Sequence, residues 1–324
     1  MKRVVSIDHG NRMIKSEHHS FPSSFVESKY IPSIGGDVLS YGGKTYTLVD
    51  QNLPVQNDKS ENSRYFILSL FAISKELANE AEMLRKLTPD GHINIELLIG
   101  LPLLHYEIYR DKFERYFTDT DHPGVIQYEF NGKPYSIRIT NAYAFPQAYS
   151  AAITVLDKLK GSNIVNIIDL GGFTVDCLQL IKIKPNMTLC TSLYWGVNEL
   201  FQSINDQMRS LGGKDISNSI IEGILKKDPA DLAEYSEKRI AAITSAATSH
   251  TERMLAEIEQ KGFDLEEDRT VFMGGGSILL NEYIKKTGKV KKPLFVNDIH
   301  ANAKGYRLLY EMEKSKSNRQ LHGA

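Results

Sequence analysis

The chain has 324 residues, 41% of them hydrophobic, which is enough to fill about two domain cores with an ordinary globular composition. Lys plus Arg (39) nearly cancel Asp plus Glu (40), so no overall positive field holds nucleic acid directly, and a DNA role would need an adaptor. Cys177 and Cys190 stand in apolar, strand-like settings without CxxC spacing, which gives no zinc signal and predicts buried thiols in a reducing compartment.

Met1-Lys2-Arg3 is basic, but the apolar run Val4 to Ile7 is far too short for a signal peptide or a span, and no later stretch is long enough. The expectation is a cytoplasmic protein without a membrane partner. Val4 to Ile7 reads as a strand that ends on Asp8-His9-Gly10 and restarts near Met13-Ile14-Lys15. His18-His19 has no partner at metal-ligand spacing and reads as a solvated loop. Tyr41 to Thr47, around Gly42-Gly43, predicts a hairpin. Tyr65 to Leu87 carries apolar residues at helical spacing up to a stop at Thr88-Pro89. A strand over 93–98, a helix over 103–117 and a hairpin over 125–139 around Asn131-Gly132 follow. Ala148 to Leu159 predicts a helix that Pro146 prepares.

Asn163 to Ile168 and Thr174 to Leu178 are then two strands, hinged at Asp169-Leu170-Gly171-Gly172. Helices are expected over 198–211, stopped by Gly212-Gly213, and over a long charged stretch from Pro229 to Gln260. Strand 270–273 runs into Gly274-Gly275-Gly276-Ser277 and an apolar helix start. A strand over 294–296, a helix over 302–314 and a frayed polar tail over 315–324 complete the chain. The Lys285-Lys286 and Lys291-Lys292 pairs read as solvent-facing. Alternating strands and helices, with a strand-Asp-x-Gly turn in each half, point to an α/β chain built from two related halves.

A glycine turn aims successive backbone N–H groups into one concavity, and such a nest binds phosphate oxygens. The Walker A pattern needs GK[ST] after its loop, a triplet not expected in this chain, and the Rossmann fingerprint lacks its third glycine after Gly274. Taken singly, each candidate keeps a bland alternative. Lys15 could be a strand-end lysine, Gly274 to Ser277 a helix-entry turn capped by Ser, and Gln147 an ordinary residue at a helix start.

The order Asp8-x-Gly10-x4-Lys15, then Asp169-Leu170-Gly171-Gly172-x-Thr174-x-Asp176, then Gly274-Gly275-Gly276-Ser277 resembles the actin, sugar-kinase and heat-shock ATPase superfamily. Within it, length and the central motif are similar to the plasmid-segregating bacterial actins of the ParM/StbA group. The resemblance implies an actin-like (ribonuclease H-like) α/β fold of two domains with a nucleotide cleft between them. Domain I would be 1–155 plus 301–324, and domain II 156–300. It implies ATP, with GTP as an alternative nucleotide, and Mg²⁺ held by Asp8 and Asp169 through water, since Mg²⁺ dehydrates reluctantly. Gly10, Asn11, Gly171, Gly172 and Thr174 would donate to phosphates, and Lys15 would supply a point charge. Gly274, Gly275 and Ser277 would let the adenosine approach the backbone.

Gln147, in Phe145-Pro146-Gln147-Ala148, takes the place of a water-positioning residue, with Asp8 and Asp169 as the other catalytic groups. No Asp or Glu occurs from Asn141 to Ala152, so this chain is similar to the Gln-bearing version of that segment. Phe173 departs from the small hydroxyl residue common in the group. Asn302-Ala303-Lys304-Gly305-Tyr306 resembles a second connecting segment where small residues let a helix cross at the hinge.

The implied function is a filament-forming ATPase that polymerises with itself and moves plasmid or other mobile DNA through a ParR-type adaptor. Two other classes compete. A small-molecule kinase would need a carboxylate base that the Gln147 segment does not supply. A nucleotide-switch scaffold would bind without polymerising.

Overall fold

The computed structural model describes residues 2–28, 36–51, 53–87, 91–118 and 124–322. The chain divides into two compact units, 1–154 with 300–324, and 155–299.

The first unit holds β1 (Lys2–His9), β2 (Met13–Ser16), β3 (Ser20–Pro22), β4 (Phe25–Ser28), β5 (Val38–Tyr41) and β6 (Lys44–Leu48). These are followed by α1 (Arg64–Leu77), α2 (Ala81–Leu87), β7 (Ile93–Leu101), α3 (Leu103–Thr118), β8 (Ile126–Phe130), β9 (Lys133–Pro146) and α4 (Tyr149–Ile153). Its nine strands form one sheet in the order β3-β2-β1-β7-β9-β8-β5-β6-β4. Laid flat, such a sheet would be roughly 38 Å wide at the usual strand spacing. Yet its two edge strands are joined by only Ser23-Ser24, a link of about 11 Å at full stretch. The sheet must therefore curl until its edges meet. The core side of that curl is filled by α1, buried without interruption from Tyr65 to Ser74. A helix that is apolar all round belongs inside a core. Phe71 packs on both Phe21 of β3 and Phe130 of β8, and Phe66 on Tyr41 of β5. The two serines inside α1, Ser69 and Ser74, return their hydroxyls to the carbonyls of Tyr65 and Leu70 at 2.7 Å, so no polar group is stranded there.

The second unit holds α5 (Leu156–Leu159), β10 (Ile164–Leu170), β11 (Val175–Ile181), β12 (Lys184–Leu193), α6 (Val197–Ser210), α7 (Asn218–Leu225), α8 (Pro229–Glu234) and α9 (Glu237–Gln260). It continues with β13 (Arg269–Met273), α10 (Gly275–Thr287) and β14 (Pro293–Phe295), and its five-stranded sheet runs β12-β11-β10-β13-β14. The last helix, α11 (Ala301–His322), belongs to the first unit and packs on α4 and β7.

Several expectations need correction. The helix over 65–87 is two helices, parted where Ala78 and Glu80 bond back three residues instead of four. The stop placed at Thr88-Pro89 lies outside the described residues. The helix over 148–159 is also two pieces, because Thr154 turns its hydroxyl back to the Ala151 carbonyl and the β-branched Val155 leaves helical geometry. Pro146 ends β9 instead of preparing a helix. The stretch 229–260 breaks at Tyr235, which is extended, and α9 restarts after Ser236. The tail continues α11 as helix through His322. Asp169 lies within β10, one residue before the turn. Cys177 is buried as expected, but Cys190 is only half-buried. Gly43-Lys44-Thr45 has the ending of a Walker A loop, yet it joins β5 to β6 and Val38 stands where the first glycine is needed. It is a hairpin turn.

Candidate functional site

In the first unit, β1 and β2 are antiparallel with Asp8 opposite Lys15, so both side chains leave the same face of the sheet. The neighbouring pair His9 and Ile14 points the other way, into the core. There His9 packs against Tyr65, Phe113 and Phe117, and its Nε2 lies 2.7 Å from Ser69 Oγ. Burial, reinforced by the Lys59 charge, holds its pKa well below the usual value and keeps it neutral. The turn between the strands needs Gly10, since a Cβ there would lie 2.5 Å from the Met13 carbonyl oxygen. Asn11 turns its side chain inward, where Oδ1 accepts from Tyr65 Oη at 2.8 Å and from the Gln56 amide at 3.2 Å. Lys15 is half-buried and forms no salt bridge among the described residues.

Asp8 is 4% exposed and holds the centre of this unit's candidate residues. Gln147 donates from Nε2 to Asp8 Oδ1 at 2.6 Å, and Asn302 donates from Nδ2 to Asp8 Oδ2 at 3.4 Å. A carboxylate only accepts, so the Gln147 amide must present its NH₂ to Asp8, which leaves Oε1 as an acceptor for another group. The structure thus brings together Asp8, Lys15 and Gln147. Asn302 is a site residue that sequence reasoning missed, because the contact spans 294 positions.

The second unit repeats the construction around Asp169. Asp169 pairs with Asp176 across β10 and β11 and with Met273 across β10 and β13, which places the two glycine turns side by side. Gly274 has φ 83°, and a Cβ there would strike the Asp169 carboxylate and lie 2.5 Å from the Leu170 carbonyl oxygen. Gly276 is as confined, against Leu170 and Val197, whereas Gly275 is exposed and faces open space. Ser277 is fully buried, with its hydroxyl donating to the Gly274 carbonyl at 2.8 Å, so its work is to hold that turn. Thr174 donates to Asp176 at 3.3 Å, and the Gly171 amide to the Thr174 carbonyl at 2.9 Å. The start of α6 braces the loop, since the amides of Val197 and Asn198 donate to the carbonyls of Gly171 and Gly172 at 3.1 and 2.8 Å. Gly196 permits that approach, because a Cβ on it would lie 2.5 Å from the Gly172 carbonyl oxygen. Phe173 is half-buried. Trp195, just ahead, hydrogen-bonds Glu257 of α9 and packs edge-on against His250. The bracing residues 195–198 carry no sequence signal for this role.

Among the described residues no group of three or more His, Cys, Asp or Glu could bind a metal unaided. His18 is exposed and bonded to Glu76 at 2.8 Å, and Lys285, Lys286, Lys291 and Lys292 are all exposed. No helix is long and apolar enough to cross a membrane among the described residues.

Residues 6–149 match the family model for the N-terminal domain of actin like proteins. Residues 167–286 match the model for the C-terminal domain of the archaeal actin homologue, MreB-like. No curated protein sequence matches the chain significantly. Among solved structures, Ta0583, an archaeal actin homolog, is 18% identical over 95% of this chain and 99% of that chain, with a TM-score of 0.71. The actin-like protein Alp7A is 16% identical over 98% and 99%, at 0.70. A ParM from Clostridium botulinum, in a 15-stranded filament, is 16% identical over 94% and 97%, also at 0.70. At such identities the likeness to these structures is one of fold. With an N-terminal and a C-terminal domain of that kind and a mixed α/β architecture of two sheets, the chain belongs to the actin-like proteins.

Proposed function

We propose that this protein is a filament-forming ATPase that binds Mg-ATP, or GTP in its place, hydrolyses it, and segregates plasmid or other mobile DNA through a DNA-binding adaptor of ParR type. The observation that carries the reading is the contact between Gln147 and Asp8, beside a glycine turn and a lysine without a salt bridge among the described residues. Hydrolysis needs a group that orients water toward the γ-phosphate, and an amide whose NH₂ is fixed on Asp8 offers its Oε1 in a set direction. Each unit would supply one phosphate turn. Gly10, Asn11 and Lys15 come from the first, and Gly172 and the Thr174 backbone from the second, where the Gly171 N–H is taken by the Thr174 carbonyl and the Thr174 hydroxyl by Asp176, so that these two groups shape the turn. Gly274, Gly275 and Ser277 form the turn nearest the nucleoside. Asp8 and Asp169 would hold a magnesium ion through water, and the ion would neutralise charge developing on the phosphates.

Support from relatives is of the same kind. Ta0583 has been crystallised with ADP, and the ParM of Clostridium botulinum and Alp12 have filament structures. The near balance of charge favours an adaptor over direct DNA contact. The units 1–154 with 300–324 and 155–299 would serve as domains I and II, with the cytoplasm as the site of action.

The test is equilibrium binding of ATP and ADP with Mg²⁺, together with phosphate release, for wild type, Asp8→Ala and Asp169→Ala. Binding and turnover in wild type, and loss of turnover in both variants, are expected. Tight binding without turnover would indicate a switch scaffold, and transfer of phosphate to a metabolite would indicate a kinase. Either result would overturn the proposal.

A further inference from the structure

Ala148, which follows Gln147, has φ 62° and ψ −54°, and the Tyr149 amide donates to the Gln147 carbonyl at 2.7 Å. A hydrogen bond from residue i+2 to residue i around such angles is a γ-turn of the strained kind, with ideal values near about +75° and −65°. An L residue with a Cβ takes that conformation only when its surroundings enforce it, and such outliers concentrate where function needs a group held in one place. Ala148 is 3% exposed, so water cannot relieve the turn.

Two contacts enforce it. On one side the Gln147 amide donates to the Leu101 carbonyl at 2.8 Å, which ties the turn to the end of β7. On the other, the Ala148 amide donates to Asn302 Oδ1 at 3.0 Å, while Asn302 Nδ2 reaches Asp8. One side-chain amide therefore uses its acceptor on the strained peptide and its donor on the carboxylate that Gln147 also touches. An Asn supplies both in a fixed plane, which Asp, Ser or Ala cannot.

We propose that Asn302 is a positioning residue for hydrolysis, which clamps the strained Ala148 turn against Asp8 and so fixes the direction in which Gln147 presents its Oε1. This rests on the functional reading above and assigns to the start of α11 a role beyond close packing. Without the clamp, the turn relaxes toward ordinary angles and Gln147 swings off Asp8. Nucleotide affinity, supplied by the glycine turns and Lys15, is left largely intact.

The experiment compares steady-state phosphate release, ADP affinity and melting temperature in the full-length wild type, Asn302→Ala, and Asn302→Ala with Ala148→Gly. Misplacing a reacting group by about an ångström is costly, so Asn302→Ala should lower kcat about tenfold or more. Its ADP affinity should stay within about threefold of wild type, because the loss falls on the chemical step. Glycine adopts the turn without a Cβ penalty, so adding Ala148→Gly should restore turnover by about threefold or more over Asn302→Ala alone. A merely structural Asn302 would lower the melting temperature and gain nothing in kcat from the glycine. Should Asn302→Ala not fold, Asn302→Ser, too short to span both partners, takes its place in the comparison. Wild-type kcat in the Asn302 variant, or a loss that the glycine does not relieve, overturns the inference while leaving the ATPase reading in place. A wild type that neither binds nor hydrolyses nucleotide overturns both.

Discussion

Glu96 of β7 holds the far part of α11 to the first unit, and replacing it by Gln should cost measurable, pH-dependent stability. Its side chain is 5% exposed and accepts from Tyr310 Oη, from Lys314 Nζ at 3.0 Å and from Lys2 Nζ at 3.3 Å. Burial alone would raise the carboxyl pKa, but these hydrogen bonds outweigh it and hold the value at about 2, against 4.5 for a free glutamate. At about 1.4 kcal/mol per pKa unit, that depression is worth about 3 kcal/mol. Lys2 and Lys314 are more than half exposed, so salt screens part of the effect, and about 2 kcal/mol is the expected loss for Glu96→Gln at pH 7 and physiological ionic strength. The sign follows from the folded value lying below the unfolded one. The stabilisation is complete above the unfolded value and is lost as pH falls from 4.5 toward 2. Glutamine does not titrate, so the gap between wild type and variant should shrink by about a quarter at pH 4 and by more than about half at pH 3. Chemical denaturation followed by circular dichroism across that range reads it out. A gap below about 0.5 kcal/mol at pH 7, or one that widens on acidification, would refute the reasoning.

Other outcomes follow from the same contacts. Gly305→Ala drives a Cβ into the Ser150 carbonyl where α11 crosses α4, and should destabilise by about 2–4 kcal/mol in a thermal melt. Gly274→Ala combines an unfavourable φ with a collision against Asp169, so ADP affinity should fall about tenfold or more by calorimetry, with the fold retained. Burial lowers the His250 pKa to about 4, so the ring beside Trp195 stays neutral through the physiological range. Emission from Trp195, the chain's one tryptophan, should be flat from pH 8 to about 5.5 and quench only as pH approaches 4. Quenching centred near about 6.5 would contradict that assignment.

What could be read from the residues was local chemistry. Both Asp-x-Gly turns, the hairpins at Gly42-Gly43 and Asn131-Gly132, and the glycine entry to α10 carry their instructions in adjacent positions. Of the edge strand β12 only the strand-like setting of Cys190 was anticipated, because its first half, Lys184 to Thr188, is largely exposed and has no apolar alternation to mark it. The break between α8 and α9 falls at Tyr235 and Ser236, both extended, inside a charged run that the spacing of apolar residues alone does not divide. The site was legible to the same degree. Asp8, Lys15 and the glycines are marked by motif order, but nothing in an alanine announces a γ-turn. Nor can any local pattern join Asn302 to residues 8 and 148. Those contacts are made by the return of α11 to the first unit, a tertiary event that overrides what the segment's own sequence favours.

The central claim is that nucleotide hydrolysis drives polymerisation, and 90° light scattering with phosphate release followed in parallel tests it most directly, in wild type and Asp169→Ala with Mg-ATP, Mg-GTP and Mg-ADP. Scattering that rises with triphosphate and decays as phosphate appears, with neither change in the variant, is the predicted result. Phosphate release without any rise in scattering, or no response to nucleotide at all, would contradict the account.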